Sequence, residues 1–120
     1  MNFLFVALGG AFGAAGRYAV SLIPVRTGFP MLTLVTNIIG ALLIGFVVGV
    51  ADSKELSKNT VLFWKTGVCG GFTTFSTFSL EAYDLFEKKD YLTGGIYMLL
   101  SVLLCIAGIF IGKKIASAFL

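Results

Sequence analysis

The sequence contains no histidine, and so lacks the side chain most often used as a general acid or base near neutral pH. Charge is scarce too: Asp, Glu, Lys and Arg make up 12% of the chain, about half the share of a soluble domain, while 58% is apolar. Only two cysteines occur, Cys69 and Cys105. Both lie inside apolar segments, which argues against a secreted disulfide framework and reads them as small buried residues. The net charge of +3 comes from nine basic residues spread singly or in pairs across loops and helix ends, so there is no basic stripe to contact nucleic acid. With neither His nor a nucleophile and base at readable spacing, enzymatic activity has no candidate centre.

What is abundant points to lipid as the solvent. Twelve Phe and fifteen Gly occur in 120 residues, and Gly is commoner in membrane helices than in soluble ones because it lets backbones approach closely. A helix crosses the hydrocarbon core with about 20 mostly apolar residues. Four stretches come close: about 3 to 23, 31 to 51, 61 to 80 and 92 to 112. The expectation is an all-α membrane protein, a single domain of four transmembrane helices. The first stretch has no basic segment ahead of it and carries Arg17 in its second half, so it reads as a retained span and not a signal peptide.

The connections, Pro24 to Pro30, Ala51 to Thr60 and Glu81 to Asp90, are short, which makes successive helices antiparallel and leaves both termini on one side. Trp64 and Tyr91 fall where an aromatic belt meets the lipid boundary. Lys54, Lys58, Lys65, Lys113 and Lys114 lie on the side of the termini; Arg26, Lys88, Lys89 and a snorkelling Arg17 lie on the other. That bias is too slight to specify one orientation firmly. Insertion both ways, with pairing of inverted copies, stands beside an ordinary fixed topology. Small residues at helical spacing provide packing faces: Gly9, Gly13 and Gly16, then Gly45 and Gly49, then Gly108 and Gly112.

The polar residues inside the spans carry the functional signal. Gly70 to Ser79 reads Gly-Gly-Phe-Thr-Thr-Phe-Ser-Thr-Phe-Ser, five hydroxyls and a glycine pair near the membrane centre. Glycines followed by β-branched threonines form poor helix, so the third span is expected to break near residues 70 to 75. Carbonyls freed by a break are tolerated in a membrane only when buried, lining a cavity or holding an ion. The alternative is a kinked helix whose Ser and Thr bond back to their own carbonyls. On the fourth span Thr93, Tyr97, Ser101 and Cys105 recur every four residues, either a polar track for something moving past or interhelical glue. On the second span Thr33 and Asn37 share that spacing, and the Asn amide suits an anion or a packing contact. Phe75 and Phe78 put two rings near one face, where their positive edges could meet an anion or the rings simply contact core or lipid. Arg17 either attracts anions into a vestibule or snorkels to the boundary.

Taken together, these residues resemble one family over essentially the whole chain. Gly9-Gly10 and Gly16-Arg17-Tyr18 in the first span, Thr33-Leu34, Asn37 and Gly40 in the second, and the string from Gly70 to Glu81 in the third are similar to the Fluc (CrcB-type) fluoride channels. The resemblance implies an antiparallel, dual-topology homodimer in the inner (plasma) membrane, with two fluoride pathways. It also implies a structural sodium ion held at the dimer centre by the Gly70 and Thr73 carbonyls. Asn37, Phe75, Phe78, Thr77, Tyr97 and Ser101 would line the fluoride path, with Arg17 at the vestibule. Two departures stand out: Leu32 where the family often has Gly, and Cys105, a weak donor, where it often has a hydroxyl. The implied function is passive fluoride export that relieves toxicity. The rival reading is a small four-helix proton-coupled multidrug exporter, which needs a carboxylate within the membrane, whereas every Asp and Glu falls in a loop or at a span end.

Overall fold

A computed structural model describes the whole chain from Met1 to Leu120, and its regular structure is entirely helical. In chain order it contains α1 (Asn2–Ser21), α2 (Met31–Ser53), the short α3 (Lys58–Val61), a π-helical stretch (Leu62–Cys69), the single turn α4 (Gly70–Phe72), α5 (Phe75–Glu87) and α6 (Tyr91–Phe119). Three of these, α1, α2 and α6, are each long and apolar enough to cross a membrane. The remaining passage, residues 58 to 87, is divided among four elements. The last helix extends through Lys113 and Lys114 to Phe119, past the apolar stretch that ends near residue 112. The region from Glu81 to Glu87 is helical and not loop.

Local chemistry explains where these elements start and stop. Side-chain oxygens cap three starts: Ser57 Oγ accepts from the Thr60 amide at 3.2 Å, Thr74 Oγ1 from Thr77 at 3.1 Å and Asp90 Oδ1 from Thr93 at 3.3 Å. At the end of α5, Lys89 adopts φ 64°, and the amides of Lys89 and Asp90 reach back to the carbonyls of Phe86 and Leu85 at 2.9 Å. That is a Schellman stop with Lys where Gly is usual. It reverses the chain into α6 within three residues.

The helices associate as two pairs, α1 along the π-helical stretch and α2 along α6. Glycine sets both contacts. A Cβ built on Gly13 would lie 2.7 Å from the Phe72 amide nitrogen, and one on Gly67 2.8 Å from the Gly9 Cα. On the other pair, a Cβ on Gly112 would lie 2.8 Å from the Phe46 nitrogen. Backbones this close gain dispersion contact that larger residues would forbid, and such packing drives helix association where lipid removes the hydrophobic incentive.

Only 19 of 120 residues are buried, so most of the large apolar side chains face outwards. A water-soluble fold could not tolerate that surface; a lipid-solvated one requires it. The one buried hydrophobic cluster joins Leu34, Phe78, Ala82 and Tyr97, with Phe29, Ile38 and Leu85 packed against it. It locks α5 between α2 and α6 and thereby fixes the orientation of the polar residues beside it.

Candidate functional site

The backbone between α4 and α5 is extended at Thr73 (φ −82°, ψ 158°) and Thr74 (φ −148°, ψ 122°). Two glycines and two β-branched residues weaken the helix here, and Asn37 holds the alternative conformation. The Thr74 amide donates to Asn37 Oδ1 at 2.8 Å while Asn37 Nδ2 donates to the Thr74 carbonyl at 3.1 Å. Only one orientation of the side-chain amide satisfies both bonds, and it leaves Nδ2 one further N–H to offer.

This clamp has a consequence for the carbonyls around it. In an unbroken helix the Thr74 and Thr77 amides would serve the Gly70 and Thr73 carbonyls; here they donate instead to Asn37 Oδ1 and Thr74 Oγ1. The Gly71 carbonyl is served by Arg17, whose Nε donates to it at 3.2 Å. Back-bonding occurs as well: Thr73 Oγ1 donates to the Cys69 carbonyl and Ser79 Oγ to that of Phe75, both at 2.8 Å. Arg17 therefore does not simply snorkel. Its guanidinium ties α1 to the interrupted segment.

Two cavities meet at this point. The larger, about 610 Å³, is an open groove whose polar lining includes Asn37, Thr73, Thr74, Ser101 and Cys105, and Phe75 and Phe78 form part of its wall. The smaller, about 70 Å³, gathers Arg17, Ser21, Thr33, Thr36, Thr74 and Thr77. Thr74 lines both. Neither is lined by an Asp or Glu. The Phe75 and Phe78 rings sit 5.6 Å apart, tilted at 44°; Phe78 is 9% exposed and Phe75 79%, so one ring is anchored in the core and the other projects into open space.

The Ser101 hydroxyl is the informative donor. It is buried and has no hydrogen-bond partner, an arrangement that costs free energy unless something else accepts from it. The rest of the α6 polar line divides. Cys105 follows Ser101 along the groove, whereas Tyr97, fully buried, lies behind Phe78 with ring centroids 5.1 Å apart and donates its hydroxyl to Glu81 Oε1 at 3.0 Å. Thr77 lines the small cavity with Arg17 and not the groove. Glu81, read from sequence as a residue at the span end, is drawn against the site by Tyr97. The available signal was its position three residues after Phe78 on the same helical face. Lys65 and Cys69 also reach the groove; their four-residue spacing towards Thr73 was the corresponding clue.

The chain is similar to known proteins over nearly its whole length. Residues 4–113 match the model of the family described as CrcB-like protein, Camphor Resistance (CrcB). The chain is 44% identical over 117 residues to a protein of Methanococcus maripaludis named fluoride-specific ion channel FluC, covering 97% of this chain and 95% of that one. Proteins of the same name from Methanococcus vannielii and Ruminiclostridium cellulolyticum are 39% and 40% identical, covering 98% and 97% of this chain and 98% and 92% of their own lengths. A match of this extent, reaching from α1 to α6, makes the chain a member of the CrcB-like family of membrane proteins.

Proposed function

We propose that the protein is a fluoride-selective channel that lets the anion leave the cell passively through the inner (plasma) membrane. The observation that carries the reading is the buried, unpartnered Ser101 hydroxyl, set in a groove that also holds the Asn37 amide, Thr74 and two aromatic rings and no carboxylate. Fluoride is small and strongly hydrated. A path that admits it replaces its water with hydroxyl and amide donors, and ring edges supply weak positive contacts that let it go again. Arg17 and the threonines of the small cavity form the vestibule. A proton-coupled exporter needs a carboxylate that exchanges protons for cargo, and neither cavity has one.

The pathway is completed by a second, inverted copy of the chain. Phe75 projects 79% exposed from the groove wall, and around Gly70 nothing lies within 4 Å of where a Cβ would be, which leaves room for a partner at the interrupted segment. The near balance of basic residues on the two sides is compatible with insertion in both orientations. A sodium ion fits the carbonyls of Gly70 and Thr73: both lose their helical donors to the Asn37 clamp and the Thr74 cap, and neutral oxygen ligands suit a hard cation. When bound, it would supply fixed positive charge that offsets the low-dielectric cost of a nearby anion.

The decisive experiment is anion efflux from liposomes containing the purified protein. Rapid loss of fluoride and retention of chloride, with no proton gradient and with flux reduced at least about 10-fold by Phe75→Ala, is the expected result. Equal passage of both anions, or movement only under a proton gradient, would overturn the channel reading. Sodium is tested separately: exchange for a bulky organic cation should lower the thermal midpoint of the dimer in detergent and shift it towards monomer. An unchanged midpoint would remove the ion from the proposal.

A further inference from the structure

The groove has a net charge at one end only. Its walls run from Asn37 to Ile44 on α2 and from Ser101 to Ile109 on α6, while the facing wall runs in the opposite chain direction from Phe78 back to Lys65. All three descend from the level of the Thr73–Thr74 interruption towards the side that holds the termini. Along α6 the donors fade, from the Ser101 hydroxyl to the Cys105 thiol to Ile109, which has none, while on the facing wall Thr66 adds one hydroxyl beside Lys65. Lys65 stands at that level on the facing wall, exposed, as the one Lys or Arg of the lining and with no Asp or Glu among the other lining residues to offset it. The π-helical stretch stacks residues four and five apart, which aligns Lys65 with Cys69 and Gly70 on the groove side. At the opposite end, Arg17 lies in the small cavity that shares Thr74 with the groove.

We propose that Lys65 is the anion-gathering residue at the terminal-side mouth of the pathway, taking over where the polar line of α6 gives out, so that each protomer carries one cation at either end of its polar lining. This rests on the fluoride-channel reading. An ammonium on a flexible stem is a strongly hydrated point charge; it raises the local anion concentration without caging the ion in fixed geometry. Such an effect acts on the rate of access and weakens as salt screens it.

The test is initial fluoride efflux from liposomes of zwitterionic lipid at constant sodium, with ionic strength varied by an impermeant salt. Lys65→Gln should reduce efflux about 10-fold near 0.01 M ionic strength, and the deficit should close to less than about twofold near 1 M, where screening is nearly complete. Lys65→Arg should stay close to the unsubstituted protein, and Lys65→Glu should fall below Lys65→Gln. Lys58→Gln, which removes an exposed charge outside the groove, should be neutral. Undiminished efflux by Lys65→Gln at low ionic strength, or a loss equal at every salt concentration, would overturn the proposal while leaving the channel reading intact. Failure of the unsubstituted protein to move fluoride would overturn both.

Discussion

Replacing Asn37 by Ala should lower fluoride efflux by about 100-fold or more and destabilise the fold as well. The side chain bonds to both polar groups of Thr74 at 2.8 and 3.1 Å, and each group left unpaired away from water costs about 1–3 kcal/mol. With the clamp gone, residues 73 and 74 have less reason to remain extended, and the Gly70 and Thr73 carbonyls can recover their helical donors. Asn37→Asp separates the structural role from the electrostatic one. A carboxylate still accepts from the Thr74 amide but cannot donate to the Thr74 carbonyl, and it sets a negative charge beside the anion path. It should therefore retain more of the fold than Ala while conducting no better. Thermal midpoints in detergent and efflux rates from liposomes, measured on the same preparations, check both halves; wild-type efflux by Asn37→Asp would refute the anion path at this residue.

The second large effect is expected at Gly13. Its surroundings are backbone atoms of the interrupted segment, including the Val68 carbonyl, the Gly71 carbonyl carbon and, at 2.7 Å from where a Cβ would lie, the Phe72 nitrogen. Backbone cannot move aside as a flexible side chain can. Gly13→Ala should cost about 1–3 kcal/mol through overpacking, and Gly13→Leu should yield no monodisperse protein in detergent. Gly95 provides the contrast, since it lies within α6 with open space around its Cβ position. Gly95→Ala should be neutral or stabilising by up to about 1 kcal/mol, because Ala forms helix more readily. If the two glycines responded alike, close packing of α1 on the π-helical stretch would not be what Gly13 provides.

The site is held together by contacts that are long in sequence. Arg17 and Gly71 are 54 positions apart in the chain, Asn37 and Thr74 are 37, and Glu81 and Tyr97 are 16. Periodicity on any one helix assigns residues to a face of that helix, but it does not say which neighbour the face meets. Thr93, Tyr97, Ser101 and Cys105 form one line in sequence, yet only Ser101 and Cys105 reach the groove. Tyr97 is turned into the core by Phe78 and Phe29, whose rings lie 5.1 and 5.5 Å from its own. Likewise the eight-residue π-helical stretch has no plain compositional sign; it forms where Gly9, Gly10 and Gly13 of α1 let the third passage come near.

By itself, then, the sequence determined the solvent of the protein and the chemistry it carries. The scarcity of charge and the runs of apolar residues select lipid, and the string from Gly70 to Ser79 puts hydroxyls and weak helix formers where an ordinary span would have neither. It also identified the family through residues spread over three of the spans. Only the tertiary structure decided which of those polar groups face one another. Rotation of each helix about its axis is set by glycine contacts between backbones, and these rotations turn Ser101 and Lys65 into the groove, bury Tyr97 behind it and bring Asn37 to the backbone of Thr74. Such contacts are short in space and long in sequence, so no local pattern of residues encodes them.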